Sequence, residues 1–240
     1  MNVILIGFMG TGKTTVGKRL AKRLGWEFVD VDQLIEARAK IPIARIFAER
    51  GEPVFRRMER RCIGRVIHGH HQVIATGGGA VVDPQNRARL RASGLVVCLT
   101  ARPAVILSRV GRKPAMRPML EKSHANPLSR IRSLMQERAA AYAKADLTID
   151  TSGLSVDETV ERIWEHVSPY LCKSWQYLLD HAGALAHRYG GKYIVVVDDR
   201  IVACGDTQLD AYQKASHRLD DKREAGIYYI PLAEESLTAL

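Results

Sequence analysis

The 240-residue sequence has little cysteine, few aromatic side chains and no long apolar run. No stretch approaches the roughly 20 apolar residues of a membrane-spanning helix, which excludes a conventional one. The apolar start, MNVILIGFMG, lacks the basic residues and cleavage site of a secretory signal, so we expect a buried first strand there. Cys62, Cys98, Cys172 and Cys204 are far apart and lack metal-ligand spacing. We therefore expect reduced thiols in a cytoplasmic protein.

Acidic residues are scarce in the first part of the chain. Residues 1–150 have 27 Lys and Arg against 12 Asp and Glu, whereas residues 151–240 have 9 against 14. A basic region suits nucleic acid, a membrane surface or an anionic small molecule. The arginines are dispersed among apolar residues, and no zinc finger, RNA-binding sheet motif or basic tail is recognisable. This pattern favours local binding of phosphates and carboxylates over binding of nucleic acid or a membrane.

Short apolar, β-branched runs alternate with helical patterns up to about residue 168. The runs that predict strands cover residues 2–7, 27–32, 72–79, 95–100 and 146–150. Strands that alternate with helices predict an α/β fold, with a central parallel sheet covered by helices. We predict a first domain at 1–168 and a connector helix at 169–188. Residues 189–240 then form a small ββαβ module of unknown role, which is marginal for independent stability.

The segment GFMGTGKTT, residues 7–15, matches the pattern G-x-x-x-x-G-K-T. It follows a predicted strand and opens a predicted helix, which is the context of a phosphate-binding loop, or P-loop. Amides at the helix N-terminus attract the anion, Lys13 is expected to reach the β- and γ-phosphates, and Thr14 is expected to bind Mg²⁺. The residues expected to bind nucleotide here are Gly10, Thr11, Gly12, Lys13, Thr14 and Thr15.

The segment FVDVDQLIE, residues 28–36, has two carboxylates one residue apart at the end of an apolar run. Residues i and i+2 of a strand point to the same side, so Asp30 and Asp32 are predicted to project together from a strand end. Two like charges held this close repel unless a cation or a proton donor lies between them. We expect the P-loop to supply the cation, with Asp30 reaching the Mg²⁺ held by Thr14.

Five segments in order and approximate spacing resemble those of shikimate kinases. They are GFMGTGKTTVGKRLAKRLGWEFVDVDQLIE, GEPVFRRMER, ATGGGAVV, RPML and ERAAAYAKAD. The resemblance covers residues 1 to about 168. It implies a small P-loop kinase with a central parallel sheet, a substrate-binding helical region and a mobile lid. It also implies that ATP and Mg²⁺ are used to phosphorylate the 3-hydroxyl of shikimate.

The resemblance assigns substrate-binding roles to particular residues. Arg56, in VFRRMER, matches the family's first arginine for the substrate carboxylate, and Arg138, four residues before Tyr142, matches the second. Planar guanidinium groups suit bidentate binding of a carboxylate. Glu59 lies at i+3 from Arg56 and is expected to hold it in place. The family's glycine run, which lets backbone amides approach the ring hydroxyls, matches Gly77, Gly78 and Gly79.

The basic, proline-containing loop at about 111–125 is expected to form a lid over the transferring phosphate. Arg117, in RPML, matches the family's lid arginine and is expected to act with Lys13 on the phosphoryl group in flight. The family also has an arginine that lies against adenine, and the spacing leaves Arg109 and Arg112 open. Asp32 is expected to orient the acceptor hydroxyl and to accept its proton.

Two alternatives remain at this level. One is another small-molecule P-loop kinase, such as a gluconate or nucleoside kinase, although these do not need two carboxylate-binding arginines. The other is a non-catalytic sensor that binds ligand and reports through the C-terminal module, although every expected catalytic position is filled. The module weakly resembles small uncharacterised ββαβ domains, which implies no activity and leaves self-association or contact with a pathway enzyme open.

Overall fold

The computed structural model describes residues 1–111, 126–171, 173–216, 219 and 225–232. The chain divides into two compact units, Met1–His166 and Val167–Leu240. The predicted lid lies outside the described residues except for Gly111, and Arg112, Arg117 and Cys172 also lie outside them.

A five-stranded sheet forms the centre of the first unit. Its strands are β1 (Asn2–Gly7), β2 (Glu27–Asp30), β3 (Gln72–Ala75), β4 (Gly94–Thr100) and β5 (Leu147–Asp150). Their order is β2-β3-β1-β4-β5, and every neighbouring pair is parallel. All six residues of β1 are buried, as expected for a central strand covered on both faces. The predicted parallel α/β architecture is therefore confirmed.

Helices follow each strand of this sheet. They are α1 (Lys13–Leu24), α2 (Val31–Ala39), α3 (Ile43–Arg50), α4 (Glu52–Val66), α5 (Pro84–Ser93), α6 (Pro103–Gly111), α7 (Pro127–Tyr142) and α8 (Val156–Val167). Helix α1 ends where Gly25 adopts a left-handed conformation that closes the last turn. Helix α8 starts with a reciprocal capping box, in which Ser155 and Glu158 each accept the other's backbone N–H.

The segment FVDVD contradicts the prediction of one strand over residues 27–32. Strand β2 ends at Asp30, which caps α2 by accepting the backbone N–H groups of Asp32 at 3.0 Å and Gln33 at 3.3 Å. Asp32 therefore lies in the first turn of a helix and does not share a strand face with Asp30. The strand pattern was overridden because a carboxylate at a strand end satisfies the free amides of a helix start.

The strand order brings three chain segments to one edge of the sheet. Strand β3 lies between β2 and β1, with Asp30 opposite Ala75 and Leu5 also opposite Ala75. The residues that follow β1, β2 and β3 are the P-loop, the start of α2 and the glycine run 77–79. Ligands of open parallel sheets bind outside the carboxyl ends of the strands, so this edge is where a site is expected.

The second unit is a three-stranded antiparallel sheet with helices on both faces. Its elements are α9 (Lys173–Asp180), α10 (Ala182–Tyr189), β6 (Lys192–Val197), β7 (Arg200–Gly205), α11 (Gln208–Ala215) and β8 (Ala225–Ile230). The sheet order is β7-β6-β8. Leu178 and Leu185 pack with Ile194 of β6 on one face, and Ala211 of α11 packs with Val195 on the other.

The single connector helix predicted at 169–188 is instead two helices, α9 and α10, with the break at His181. Their apolar residues form one layer of the second unit, so this segment is part of the module's core. The helices of the described ranges include none that is long and apolar enough to cross a bilayer.

Candidate active site

The P-loop turns tightly between β1 and α1. Gly7, Gly10 and Gly12 have φ angles of 131°, 78° and 98°, a region that is open to glycine. The Thr11 hydroxyl donates to the carbonyl of Phe8 at 2.8 Å and fixes the turn. Because glycine occupies the N-cap position of α1, no cap side chain competes for the first-turn amides. The start of α1 is therefore built to accept an anion.

Lys13 folds back over this loop. Its ammonium donates to the carbonyl oxygens of Gly7 and Phe8, each at 2.9 Å. These contacts place the positive charge at the carboxyl end of β1, where a phosphate chain held by the loop amides would lie.

Asp30 is fixed by donors from two helices. Its Oδ2 accepts the Thr14 hydroxyl of α1 at 2.9 Å, and its Oδ1 accepts the two amides that begin α2. A hydroxyl beside a carboxylate offers the oxygen ligands that Mg²⁺ prefers, usually together with water and substrate phosphates. The donor set of Thr14 and Asp30 therefore fits the metal that a P-loop kinase uses.

Asp32 is half-buried just behind this pair. Burial and the neighbouring charge of Asp30 raise the pKa of Asp32 to about 6, although Lys13 opposes the shift. Its Oδ1 is buried and accepts no hydrogen bond from the described residues. A carboxylate with a free acceptor and a pKa near neutrality suits a group that binds a hydroxyl and then takes its proton.

The glycine run 77–79 is explained by steric contacts as well as by the approach of backbone amides to the ring hydroxyls that the resemblance implies. A Cβ at Gly77 would lie 2.8 Å from Oδ1 of Asp32 and 3.0 Å from Oε1 of Glu59. A Cβ at Gly79 would lie 2.6 Å from Nη2 of Arg56. Glycine therefore leaves space beside the backbone for these charged side chains, and a larger residue would make them shift.

Arg56 is held on two sides by carboxylates. Its Nη1 donates to Glu59 at 2.7 Å, and its Nε and Nη2 donate to one oxygen of Glu52 at 3.2 and 3.0 Å. The Glu59 side chain is only 1% exposed, and burial raises its pKa while Arg56 lowers it. The predicted contact between Arg56 and Glu59 is confirmed. Glu52 was missed, although its i−4 spacing on the same helix was a usable signal.

Arg138 comes from α7 and is buried, with 6% of its surface exposed. Its Nη1 donates to the carbonyl of Gly78 at 3.1 Å, and its guanidinium lies 5.5 Å from the ring centre of Phe8. The Tyr142 hydroxyl donates to the same carbonyl at 2.6 Å. Burial raises the pKa of Tyr142 to about 12, with Arg138 opposing, so this hydroxyl keeps its proton. Tyr142 thus supports a site in which sequence reasoning gave it no role.

An open cavity of about 640 Å³ adjoins these groups. Arg56, Arg138 and Gly79 line it, and Arg60 and Arg130 line it farther along the same two helices. The volume lies within the usual range for small-molecule sites.

Arg109, near the end of α6, lies against the P-loop. It donates to the hydroxyl of Thr151 at 3.0 Å, to the Thr151 carbonyl at 2.8 Å and to the Gly10 carbonyl at 3.4 Å. The guanidinium therefore joins the loop after β5 to the phosphate-binding loop.

Comparison with known proteins matches this geometry to one family. A family model described as shikimate kinase matches residues 9–168. This chain belongs to the shikimate kinase family. Curated shikimate kinases from Geobacter sulfurreducens and Thermodesulfovibrio yellowstonii are 52% and 46% identical to it over 162 residues. The matched part is 68% of this chain and 88% and 92% of those proteins.

Solved structures agree with this membership. A shikimate kinase from Acinetobacter baumannii in complex with shikimate is 35% identical, with a TM-score of 0.67 over 70% of this chain and 93% of that one. The enzyme from Aquifex aeolicus is 29% identical, with a TM-score of 0.60 over 71% of this chain and 98% of that one. The resemblance carried by the five segments is confirmed, and the chain is an ATP-using kinase of shikimate.

The second unit matches a different family. A family of unknown function, DUF5678, matches residues 184–233, which begin within α10. This match fits an additional small domain whose family description names no activity.

Replacement of Gly77 by alanine tests the steric account of the glycine run. We expect Gly77→Ala to reduce kcat/KM for shikimate by at least tenfold in a folded protein, because the new methyl group displaces Asp32 or Glu59. Gly64→Ala is the matched control, since its Cβ would meet only the end of the Arg89 side chain at 3.4 Å. Equal activities of the two variants would contradict the account.

Proposed function

We propose that this chain transfers the γ-phosphoryl group of ATP to the 3-hydroxyl of shikimate, with Asp32 as the group that orients and deprotonates that hydroxyl. The observation that carries the proposal is the buried, unpartnered Oδ1 of Asp32, whose pKa is raised to about 6. Family membership supports the substrate, and the neighbouring Thr14–Asp30 pair supports the position of the phosphate donor.

The P-loop residues bind the donor in this proposal. Amides and hydroxyls from Gly10 to Thr15 surround the phosphates, and Lys13 exchanges its carbonyl contacts for phosphate oxygens. Thr14 and Asp30 would hold Mg²⁺, which supplies charge neutralisation when it is bound. Arg117 assists at the phosphoryl group, and it lies outside the described residues. The contact of Arg109 with Gly10 supports Arg109 as an adenine partner, and Arg112 lies outside the described residues.

Arg56 and Arg138 bind the substrate carboxylate in this proposal. They come from α4 and α7 and line one cavity, so a carboxylate between them fixes the ring relative to Asp32. The acceptor oxygen forms a bond to the γ-phosphorus, the bond from that phosphorus to ADP breaks, and the hydroxyl proton passes to Asp32. The protein's contribution is mainly position and charge.

Two buried or half-buried arginines disfavour a nucleoside kinase, whose acceptor is neutral. Gluconate has a carboxylate of its own, so that alternative is separated by a direct test with gluconate as acceptor. The filled Lys13 and Asp32 positions disfavour a sensor without turnover. The thiols of Cys62, Cys98 and Cys204 are free, which supports the cytoplasmic location that we propose.

Asp32→Asn tests the proposed chemistry directly. We expect shikimate-dependent ADP release to fall by about 10² or more, because an amide accepts no proton from the hydroxyl. Wild-type protein given gluconate in place of shikimate is the acceptor control and should release no ADP above background. A folded Asp32→Asn variant with the wild-type rate would refute the role of Asp32.

The same variant should be more stable than wild type at pH 7.5. The pKa of Asp32 rises from 3.8 in the unfolded chain to about 6 in the fold, so the folded state favours the proton. This contribution to stability is complete below pH 4 and is lost as the pH rises through 6, at a cost of roughly 3 kcal/mol. Denaturant unfolding should therefore separate the two proteins at pH 7.5 and bring them together near pH 4.

Arg138→Met tests the carboxylate contact while it keeps an apolar stem. We expect KM for shikimate to rise at least tenfold, as loss of a charged hydrogen bond predicts, with KM for ATP little changed. Arg132→Met, on an exposed face of the same helix, removes the same charge and should behave as wild type. Equal increases in both KM values would count against the carboxylate role.

We also propose that residues 1–168 suffice for catalysis. The relatives match this segment over about nine-tenths of their own length, and α9 and α10 belong to the core of the second unit. A chain that ends at Ser168 should keep kcat and both KM values within about twofold, and its solution mass tests whether residues 169–240 mediate self-association. Loss of activity in a folded truncated chain would make the module part of the enzyme.

A further inference from the structure

Two arginines that the proposed chemistry does not use line the substrate cavity. On α4, Arg60 lies one turn beyond Arg56, and on α7, Arg130 lies two turns before Arg138. Residues separated by four or eight positions share one face of a helix. Each helix therefore presents an inner arginine, which we assign to the bound carboxylate, and an outer arginine farther along the same wall.

Arg130 makes few contacts that would give its charge a role in fold stability. Its Nη1 lies 4.0 Å from Glu137, and Glu137 also accepts the hydroxyl of Ser133 at 2.9 Å. Its Nε is buried and donates to no group in the described ranges. An ion pair of this length near solvent contributes almost nothing to stability, so fold stability does not explain this cation.

Arg60, on the opposite wall, is held more firmly. Its Nε and Nη2 donate to one oxygen of Asp83 at 3.0 and 2.8 Å, while the other oxygen of Asp83 caps α5. Arg60 is therefore fixed at the rim with its charge paired to Asp83, and Arg130 is the cation with an unmet donor.

The size of the cavity leaves room for an anion at this outer position. Its 640 Å³ extend from the inner arginines to Arg60 and Arg130, which is more than one six-membered ring acid fills. Four arginines and three carboxylates line the cavity, so its lining has a small positive excess, and the guanidinium that is least matched by a carboxylate is the one open to an incoming anion.

We propose that Arg130 forms an outer carboxylate subsite, across the cavity from the Arg60–Asp83 pair, that captures incoming shikimate before its carboxylate passes to Arg56 and Arg138. This inference rests on the proposed function, because it needs shikimate as the anion that enters. Arg130 has no part in the phosphoryl transfer, and its effect is on the rate at which substrate is captured.

Comparison of Arg130→Gln with Arg132→Gln tests this capture. Both variants remove one charge from α7, but Arg132 is exposed and does not line the cavity. At low ionic strength, we expect Arg130→Gln to lower kcat/KM for shikimate about three- to tenfold, with kcat and KM for ATP unchanged. The deficit should shrink at about 0.5 M salt, because screening also weakens capture by the wild-type enzyme.

Arg130→Lys keeps the charge without the planar fork, and should restore most of kcat/KM at low salt. Equal kcat/KM for Arg130→Gln and Arg132→Gln at low salt would overturn the subsite. If the loss of kcat/KM for shikimate does not change with salt, or if kcat falls, then Arg130 does not act by capturing substrate, and it makes a fixed contact or has a structural role instead. Thermal melting of each variant identifies any loss of fold.

The wild-type measurement separates this inference from the one it rests on. If wild-type protein releases no ADP with shikimate, the proposed function fails. If wild type is active and Arg130→Gln matches the Arg132 control, only the outer subsite fails.

Discussion

The Asp30 carboxylate connects the two halves of the active site. One oxygen accepts the hydroxyl of Thr14, at the start of the helix that receives phosphate, and the other accepts the amides that start α2. Helix α2 carries Asp32 in its first turn, so one carboxylate sets the position of the phosphate donor side relative to the acceptor base. Asp30 can cap α2 and also take part in a metal site with Thr14, because the cap uses one carboxylate oxygen and the contact with Thr14 uses the other.

This arrangement concentrates negative charge beside Gly77. Oδ1 of Asp32 and Oε1 of Glu59 are both buried without a hydrogen-bond donor from the described residues, and both approach the same glycine. Burial raises the pKa of each group. A fold gains nothing from two unpaired acceptors at this point, whereas a ligand with several hydroxyl groups supplies the missing donors. The acceptor substrate therefore best explains why two buried carboxylate oxygens lack donors at this point.

The sequence alone predicted the features whose signal lies within a short stretch of the chain. The P-loop pattern, the parallel alternation and the i+3 contact of Arg56 with Glu59 depend on short spacings. The prediction of one strand over residues 27–32 was wrong beyond Asp30. The β-branched residues favour a strand there, but the backbone amides at the start of α2 need a cap, and Asp30 supplies it. The break at His181 has no proline to mark it, although Gly183 follows two residues later, and the contact of Tyr142 with Gly78 joins residues 64 positions apart. Such contacts depend on the tertiary fold.

The donors of the inner arginines argue for a substrate with a carboxylate. Arg56 is nearly matched by the buried Glu59, while Glu52 is half exposed to water. Arg138 is held by the Gly78 carbonyl and lies against the Phe8 ring, and its charge also lowers the pKa of Glu59. The two arginines lie near two carboxylates, Glu59 and Asp32, so it is the guanidinium donors and not a net positive charge that a substrate carboxylate finds here. A neutral nucleoside would offer those donors no carboxylate, and so the same arrangement that suits a ring acid selects against the acceptors of nucleoside kinases.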